Sequence, residues 1–293
     1  MRSALYVPGD APGKLARALD RGADELIIDL EDAVPPDGRE AARRSVAEWL
    51  ASLPPRVPAR LWVRINPGAA GLADIAEVAS GPPSVPLAGV CAAKTESAER
   101  LAELDGALRE AERGSGRRPG TLGVVPLLES ARAVLAAPLL AAGPRVVRLQ
   151  LGEADLRAET GVEPGGDESG MLYARSRTVL ASAAAGIDPP MAPVSTDFRD
   201  LGRLRESTLA LRRLGFRGRA CVHPAQLAVV HEVFTPSGDE LARARDLLGR
   251  YEAARAAGAG VCLDGRGRFV DEAVVRAARR LLDGAGTPGA PAP

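Results

Sequence analysis

Charged side chains stand directly after short apolar runs at intervals along this chain. Leu26-Ile27-Ile28 leads into Asp29-Leu30-Glu31-Asp32, and Leu61-Trp62-Val63 leads into Arg64-Ile65-Asn66. Cys91-Ala92-Ala93 leads into Lys94, Pro126-Leu127-Leu128 into Glu129, and Leu149-Gln150-Leu151 into Gly152-Glu153-Ala154-Asp155. Glu129 and Asp155 are hard oxygen donors. Brought to one mouth, they suit Mg²⁺ (or Mn²⁺), which keeps waters or substrate oxygens in its remaining positions. No close set of His and Cys exists for zinc. The alternative for each acid is that it caps the helix that follows. Arg64 offers a two-pronged carboxylate contact, or it closes an ion pair with Glu31 or Asp32; both can hold together.

The remaining candidates are weaker. Lys94 could form a Schiff base with a carbonyl substrate; a salt bridge or a contact to a ligand phosphate is the preferred reading. Gly9-Asp10-Ala11-Pro12-Gly13-Lys14 is one residue short of a phosphate-binding loop, and Leu15 stands where Ser or Thr is needed. A nucleotide-triphosphatase is therefore rejected. His223, followed by Pro224, has no nucleophile motif near it and reads as structural. His231 falls on a helical stretch and reads as surface or interface.

Residues of these types need a scaffold that brings strand ends together. Eight β-type runs are expected, at Ser3–Pro8, Glu25–Glu31, Arg60–Asn66, Gly89–Lys94, Thr121–Glu129, Val146–Glu153, Pro190–Ser195 and Arg219–Pro224. Several are continuously apolar, as parallel strands buried on both faces are. Helical patterns such as Ala98–Arg113 and Met171–Ala185 lie between them. Eight strands alternating with helices predict an α/β fold, a (β/α)8 TIM barrel, whose chemistry sits at the C-terminal strand ends. A doubly wound open sheet is the competitor, but no Gly-rich dinucleotide turn follows the first strand. The barrel is expected over residues 1–225. Residues 226–293 then form a C-terminal helical lid or oligomerisation arm. It contains helices at Ala225–Phe234, Asp239–Ala257 and Asp271–Leu282, an apolar segment at Gly260–Val270, and a Thr287–Pro293 end that frays.

Composition narrows the function classes. The chain has 293 residues, 46% hydrophobic and 26% charged, which is ordinary globular composition. The 38 basic and 38 acidic residues balance to zero net charge, so no nucleic-acid partner is expected. No run approaches the roughly 18 apolar residues of a membrane span, and no secretory leader is evident at the N-terminus. Three scattered cysteines, Cys91, Cys221 and Cys262, suit a reduced chain in the cytoplasm.

Taken in order, the motifs resemble the citrate lyase beta subunit and malyl-CoA lyase group, within the HpcH/HpaI aldolase and citrate lyase family. The matching stretches are Arg2-Ser3-Ala4-Leu5-Tyr6-Val7-Pro8-Gly9, Ile28-Asp29-Leu30-Glu31-Asp32-Ala33-Val34, Arg64-Ile65-Asn66, Leu128-Glu129-Ser130, Gly152-Glu153-Ala154-Asp155-Leu156, Val222-His223-Pro224-Ala225-Gln226 and Gly267-Arg268-Phe269-Val270-Asp271. The resemblance spans nearly the whole chain. It implies a Mg²⁺-dependent carbon–carbon lyase acting on malyl-, citramalyl- or citryl-type CoA thioesters, usually as a trimer or hexamer. It further implies that Glu129 and Asp155 hold the metal, that Arg64 stabilises the thioester enolate, and that Asp271 is an acid/base, often supplied by a neighbouring subunit. Glu31 and Asp32 join Arg64 as catalytic candidates. Arg2, Lys14, Lys94, Gly152, Glu153 and Ala154 are candidates for contacts to substrate or CoA. Related aldolases acting on free 2-oxo acids carry His where Asp32 stands, which favours the CoA-thioester branch. Ala93 and Glu272-Ala273 also depart from the common pattern. The alternatives are a subunit of a citrate lyase-type complex fed by an acyl carrier, and a metal-dependent aldolase or thioesterase on the same fold.

Overall fold

The structure, a computed structural model, describes residues 1–285; the fraying expected at Thr287–Pro293 lies outside them. The chain divides into two compact units, Met1–His231 and a second beginning at Glu232. The first unit carries seven parallel strands: β1 Ser3–Pro8, β2 Glu25–Asp29, β3 Arg60–Ile65, β4 Leu87–Ala92, β5 Gly123–Leu128, β6 Gln150–Leu151 and β7 Arg219–Cys221. Their order is β6-β5-β4-β3-β2-β1-β7. Met191 bridges to Gln150 and Ala192 bridges to Arg219, both parallel, so this short segment joins β6 to β7 and closes the ring. The fold is the expected (β/α)8 barrel, with its seventh rung reduced to two bridges. Pro189, Pro190 and Pro193 surround that rung. Each lacks the N–H a ladder needs, which is why Pro190–Ser195 forms no regular strand.

Helices follow the strands. They are α1 Pro12–Ala18, α2 Arg39–Ser52, α3 Gly68–Val78, α4 Ala98–Ser115, α5 Ala131–Leu135, α6 Ala137–Ala141, α7 Glu153–Thr160, α8 Leu172–Ala185, α9 Leu201–Leu214 and α10 Leu227–Phe234. The boundary of the first unit falls within α10, later than the break expected after residue 225. The signals in α4 are local. Ser97 accepts the Arg100 N–H at its start, Leu101, Leu104 and Leu108 recur on the buried face, and Gly116 ends it in the left-handed region. Glu112 is also buried in α4. It binds the N–H groups of Gly120 and Leu122 and the Arg145 guanidinium, tying α4 to the entry of β5.

Inside the barrel, Ala4, Ile27, Trp62, Cys91, Val125, Leu127, Met191 and Ala220 form one cluster. Trp62 fills its centre and lies between the Arg60 and Arg148 guanidiniums, 5.1 and 5.5 Å from the ring. Arg148 is itself buried against Glu25. The alternation that sends Ile27 inward also sends Asp29 inward. It does the same for Trp62 and Arg64, and for Val125, Leu127 and Glu129. The polar strand ends are therefore a continuation of the core face.

The second unit pairs α11 Gly238–Ala256 with α12 Glu272–Ala285 over Tyr251, Val270 and Val275. Ser237 and Glu240 cap α11 reciprocally. The apolar segment expected at Gly260–Val270 is an antiparallel hairpin, β8 Cys262–Leu263 with β9 Phe269–Val270. No helix among the described residues is long and apolar enough to cross a membrane.

One irregularity sets the entry of β4. Leu61 pairs with Leu87 and Trp62 with Gly89, so Ala88 bulges out. Gly89 has φ of 150°, and a Cβ there would lie 2.0 Å from the Gly123 carbonyl oxygen. Gly89→Ala is expected to lower the unfolding free energy by at least about 2 kcal/mol, read from the midpoint of denaturant unfolding.

Candidate active site

The mouth of the barrel is built around a buried cation. Arg64, at the end of β3, lies 5.1 Å above the Tyr6 ring. Its Nε and Nη2 donate to Asp29 at 2.7 and 2.5 Å. Its Nη1 reaches Glu31 at 3.0 Å and Asp32 at 3.1 Å. Burial works against the Arg64 charge, but the hydrogen bonds to Asp29 and the charges of Asp29 and Glu31 outweigh it, so its pKa lies above the ordinary value. Asp29 in turn accepts the N–H groups of Glu31 and Ala33, which folds the chain after β2 back over the guanidinium. The expected ion pair of Arg64 with Glu31 or Asp32 is present, and Asp29 is its principal partner. The sequence places Asp29 at a strand end without giving it a partner, and gives Tyr6 no role at the mouth. The two-residue alternation from Ile27 and from Ala4 was the signal that points both inward.

Lys94 follows β4 with φ of 49°, a left-handed conformation rare for a residue with a side chain. This turn presents its N–H to Glu129 Oε2 at 2.8 Å and its Nζ to Glu31 Oε1 at 3.0 Å. The hydrogen bond to Glu31 raises the Lys94 pKa despite some burial. A Schiff-base nucleophile needs the opposite shift. Lys94 ties two carboxylates together, Glu31 through its ammonium and Glu129 through its backbone N–H.

Glu129, at the end of β5, is 5% exposed. Burial pushes its carboxyl pKa up to about 7, and the charges of Glu31 and Asp155 add to the rise against the Lys94 N–H and Arg64. Gly152 packs directly on Glu129: a Cβ at Gly152 would stand 2.4 Å from Glu129 Cγ. Gly152 opens α7, which no side chain caps and whose first turn holds Glu153 and Asp155. A buried carboxylate with a raised pKa, near further carboxylates and an uncapped helix start, is a donor set that fits a divalent cation. Among the described residues, no three His, Cys, Asp or Glu side chains are gathered as a closed metal cage. Two carboxylates alone would leave positions on such a cation for substrate oxygens.

The other candidates are placed differently. The Glu153 side chain is held by Arg175 at 2.6 and 2.8 Å, so at this position only the backbone faces the mouth's chemistry. Ala154 is exposed in the same turn. Lys14 is exposed on α1, the helix leaving the C-terminal end of β1. Arg2 is not brought to the mouth. It precedes β1 at the opposite end of the barrel and is bound to Asp24 through its backbone N–H, Nε and Nη2; its expected ligand contact is corrected to a structural ion pair. His223 stacks on Phe198 and accepts the Ala225 N–H, capping a short turn. His231 meets Ser3 Oγ at 2.7 Å. In the second unit, Asp271 Oδ1 accepts the N–H groups of Ala273 and Val274 at the start of α12.

Two outcomes follow from this geometry. The raised Glu129 pKa means that its protonated form is favoured by folding. The resulting stabilisation is present below the ordinary glutamate value of 4.5 and lost as pH rises through about 7. Thermal unfolding without metal should therefore show Glu129→Gln growing more stable relative to wild type as pH climbs from about 4.5 to about 7.5. Gly152→Ala should displace Glu129 and weaken Mg²⁺ binding by about tenfold or more in calorimetric titration, with circular dichroism unchanged.

Comparison with known proteins shows the family. The profile of the HpcH/HpaI aldolase/citrate lyase family matches residues 2–224. The citrate lyase subunit beta of Haemophilus influenzae is 30% identical over 285 residues, covering 96% of each chain. The L-malyl-CoA/beta-methylmalyl-CoA lyase of Rhodobacter capsulatus is 31% identical over 305 aligned residues, covering 96% of this chain and 93% of its own. The crystal structure of protein CitE from Mycobacterium tuberculosis, in complex with magnesium, acetoacetate and coenzyme A, superposes with a TM-score of 0.75 at 29% identity over 98% of both chains. With its barrel, its order of motifs and this breadth of similarity, the chain belongs to the HpcH/HpaI aldolase/citrate lyase family.

Proposed function

We propose that this protein is a Mg²⁺-dependent carbon–carbon lyase. It cleaves, or in reverse forms, a 3-hydroxyacyl-CoA thioester such as malyl-, citramalyl- or citryl-CoA, giving an acyl-CoA and a 2-oxo acid. The observation that carries the reading is the buried Glu129, its pKa raised, packed on the uncapped start of α7 at the same mouth as Arg64. Relatives named for citrate lyase and malyl-CoA lyase support it.

Each step falls to a named group. Glu129 and Asp155 would hold the metal, and Mg²⁺ (or Mn²⁺) bound there would supply Lewis acidity. The amides at Gly152–Asp155 point at a carboxylate from a helix start. Asp271 takes the 3-hydroxyl proton, and the electron pair of the breaking carbon–carbon bond flows into the thioester. The enolate oxygen then meets Arg64, whose charge is fixed in place by Asp29, Glu31 and Asp32 before substrate arrives. Return of the proton to the enolate carbon releases the acyl-CoA. Lys14 and Lys94, exposed and half-exposed cations near the strand ends, contact CoA phosphates. Residues 226–293 act as a lid and oligomerisation arm and supply Asp271 to the site of a neighbouring copy in a homotrimer or hexamer. The buried, unpaired cysteines Cys91 and Cys221 suit a cytoplasmic protein.

The test is a coupled assay with malyl-CoA and citramalyl-CoA, following glyoxylate and pyruvate. Release with Mg²⁺ and none with EDTA is the expected result, and the productive ester names the acyl group. Glu129→Gln and Asp155→Asn should each lower kcat/KM by about a thousandfold. Release that persists in EDTA would overturn the reading. So would turnover only on an acyl-carrier thioester, which would favour a citrate lyase-type complex.

A further inference from the structure

The grip on Glu153 is unusual for a residue at the first position of a helix. An acidic side chain there ordinarily turns toward the free N–H groups of its own first turn, where charge and dipole favour it. In α7 it does not. The Glu153 carboxylate is taken by Arg175 of α8, Nε to Oε1 at 2.6 Å and Nη2 to Oε2 at 2.8 Å. The third nitrogen, Nη1, holds Glu168 Oε2 at 2.7 Å. Glu168 has φ of 58° and closes the loop of residues 161–168 that joins α7 to the turn before α8. Arg175 is 5% exposed, so this three-way tie is largely removed from solvent. The start of α7 is left without a side-chain cap. Beside it lies the buried Glu129, whose Oε2 accepts the Lys94 N–H and whose Oε1 would stand 3.0 Å from a Cβ at Gly152.

We infer that Arg175 is a positioning residue that keeps Glu153 from capping its own helix, so that the α7 amides stay open to the carboxylate of the 2-oxo acid. This rests on the proposed lyase reading and names a residue that reading does not use. Arg175 touches neither metal nor substrate. It acts through Glu153, whose carboxylate would otherwise compete as a built-in anion for the same N–H groups and bring another negative charge toward Glu129 and Asp155. Because Gly152 is packed against Glu129, the tie also fixes where α7 starts and hence the spacing of the two metal-binding carboxylates.

The competing anion gives the inference a signature that a purely structural role lacks. Pyruvate, as a 2-oxo acid probe, is titrated calorimetrically into the full-length protein in Mg²⁺. Arg175→Met should weaken pyruvate binding by about 10- to 100-fold. Adding Glu153→Gln to that variant removes the competing charge and should restore binding to within about threefold of wild type. If Arg175→Met does not fold, Arg175→Lys replaces it: the charge stays, the two-pronged grip is lost, and the same loss and rescue are expected in weaker form. Unchanged pyruvate binding in the single variant overturns the inference. A loss that Glu153→Gln does not rescue also overturns it, since Arg175 would then only support the fold. Wild-type protein that binds no pyruvate with Mg²⁺ would instead overturn the lyase reading and this inference with it.

Discussion

A guanidinium buried at the end of a barrel strand has to be neutralised, and how Arg64 achieves this organises the mouth of the protein. Asp29 grips it from the neighbouring strand, and Glu31 and Asp32 approach the remaining nitrogen. Taking a cation out of water without such partners costs several kcal/mol. The chain after β2 must therefore curl back over it, with the Asp29 carboxylate anchoring that curl through two backbone N–H groups. The arrangement carries more negative than positive charge. Lys94 offsets part of the excess at Glu31, at the cost of a left-handed backbone. The Glu129 carboxyl pKa is pushed up to about 7 chiefly by its burial, with the charges of Glu31 and Asp155 adding to the rise. The burial and the neighbouring carboxylates that raise the Glu129 pKa are also what suit the metal chemistry proposed for it.

Much of the fold could be read from the chain because parallel strands buried on both faces leave continuous apolar runs. β1 was located to the residue, and helical spacing marked α4, expected over Ala98–Arg113 and found over Ala98–Ser115. The reading was weakest where backbone chemistry overrode pattern. The Pro-rich stretch around Met191 was expected to be a strand; Pro189, Pro190 and Pro193 have no N–H to give, so only Met191 and Ala192 bridge its neighbours. The expected Val146–Glu153 strand is regular only at Gln150–Leu151. In the C-terminal unit, Gly260–Val270 looked merely apolar, whereas Asp264 gathers the N–H groups of Arg266 and Arg268 and turns it into a hairpin.

The site was legible at its strand ends and hidden in its pairings. Arg64, Glu129 and Gly152 could be found because each follows an apolar run. Asp29 follows an apolar run as well, but its role as the partner of Arg64 depends on a contact between neighbouring strands that the run itself does not show. Arg2 illustrates the converse: a residue next to a motif was drawn toward the ligand, yet it lies at the wrong end of its strand and is bound to Asp24. The Glu153–Arg175 tie joins residues on different helices, a relation that no local pattern encodes.

The account turns on Glu129 being a buried carboxylate that exchanges its proton for a metal ion. The most direct test is calorimetric titration of Mg²⁺ at pH 7 in buffers of different ionisation enthalpy, which counts protons released per ion bound. A carboxyl pKa of about 7 predicts about half a proton released per Mg²⁺ at pH 7, falling toward zero near pH 9. Tight Mg²⁺ binding without proton release at pH 7, or with the same release in Glu129→Gln, would contradict it.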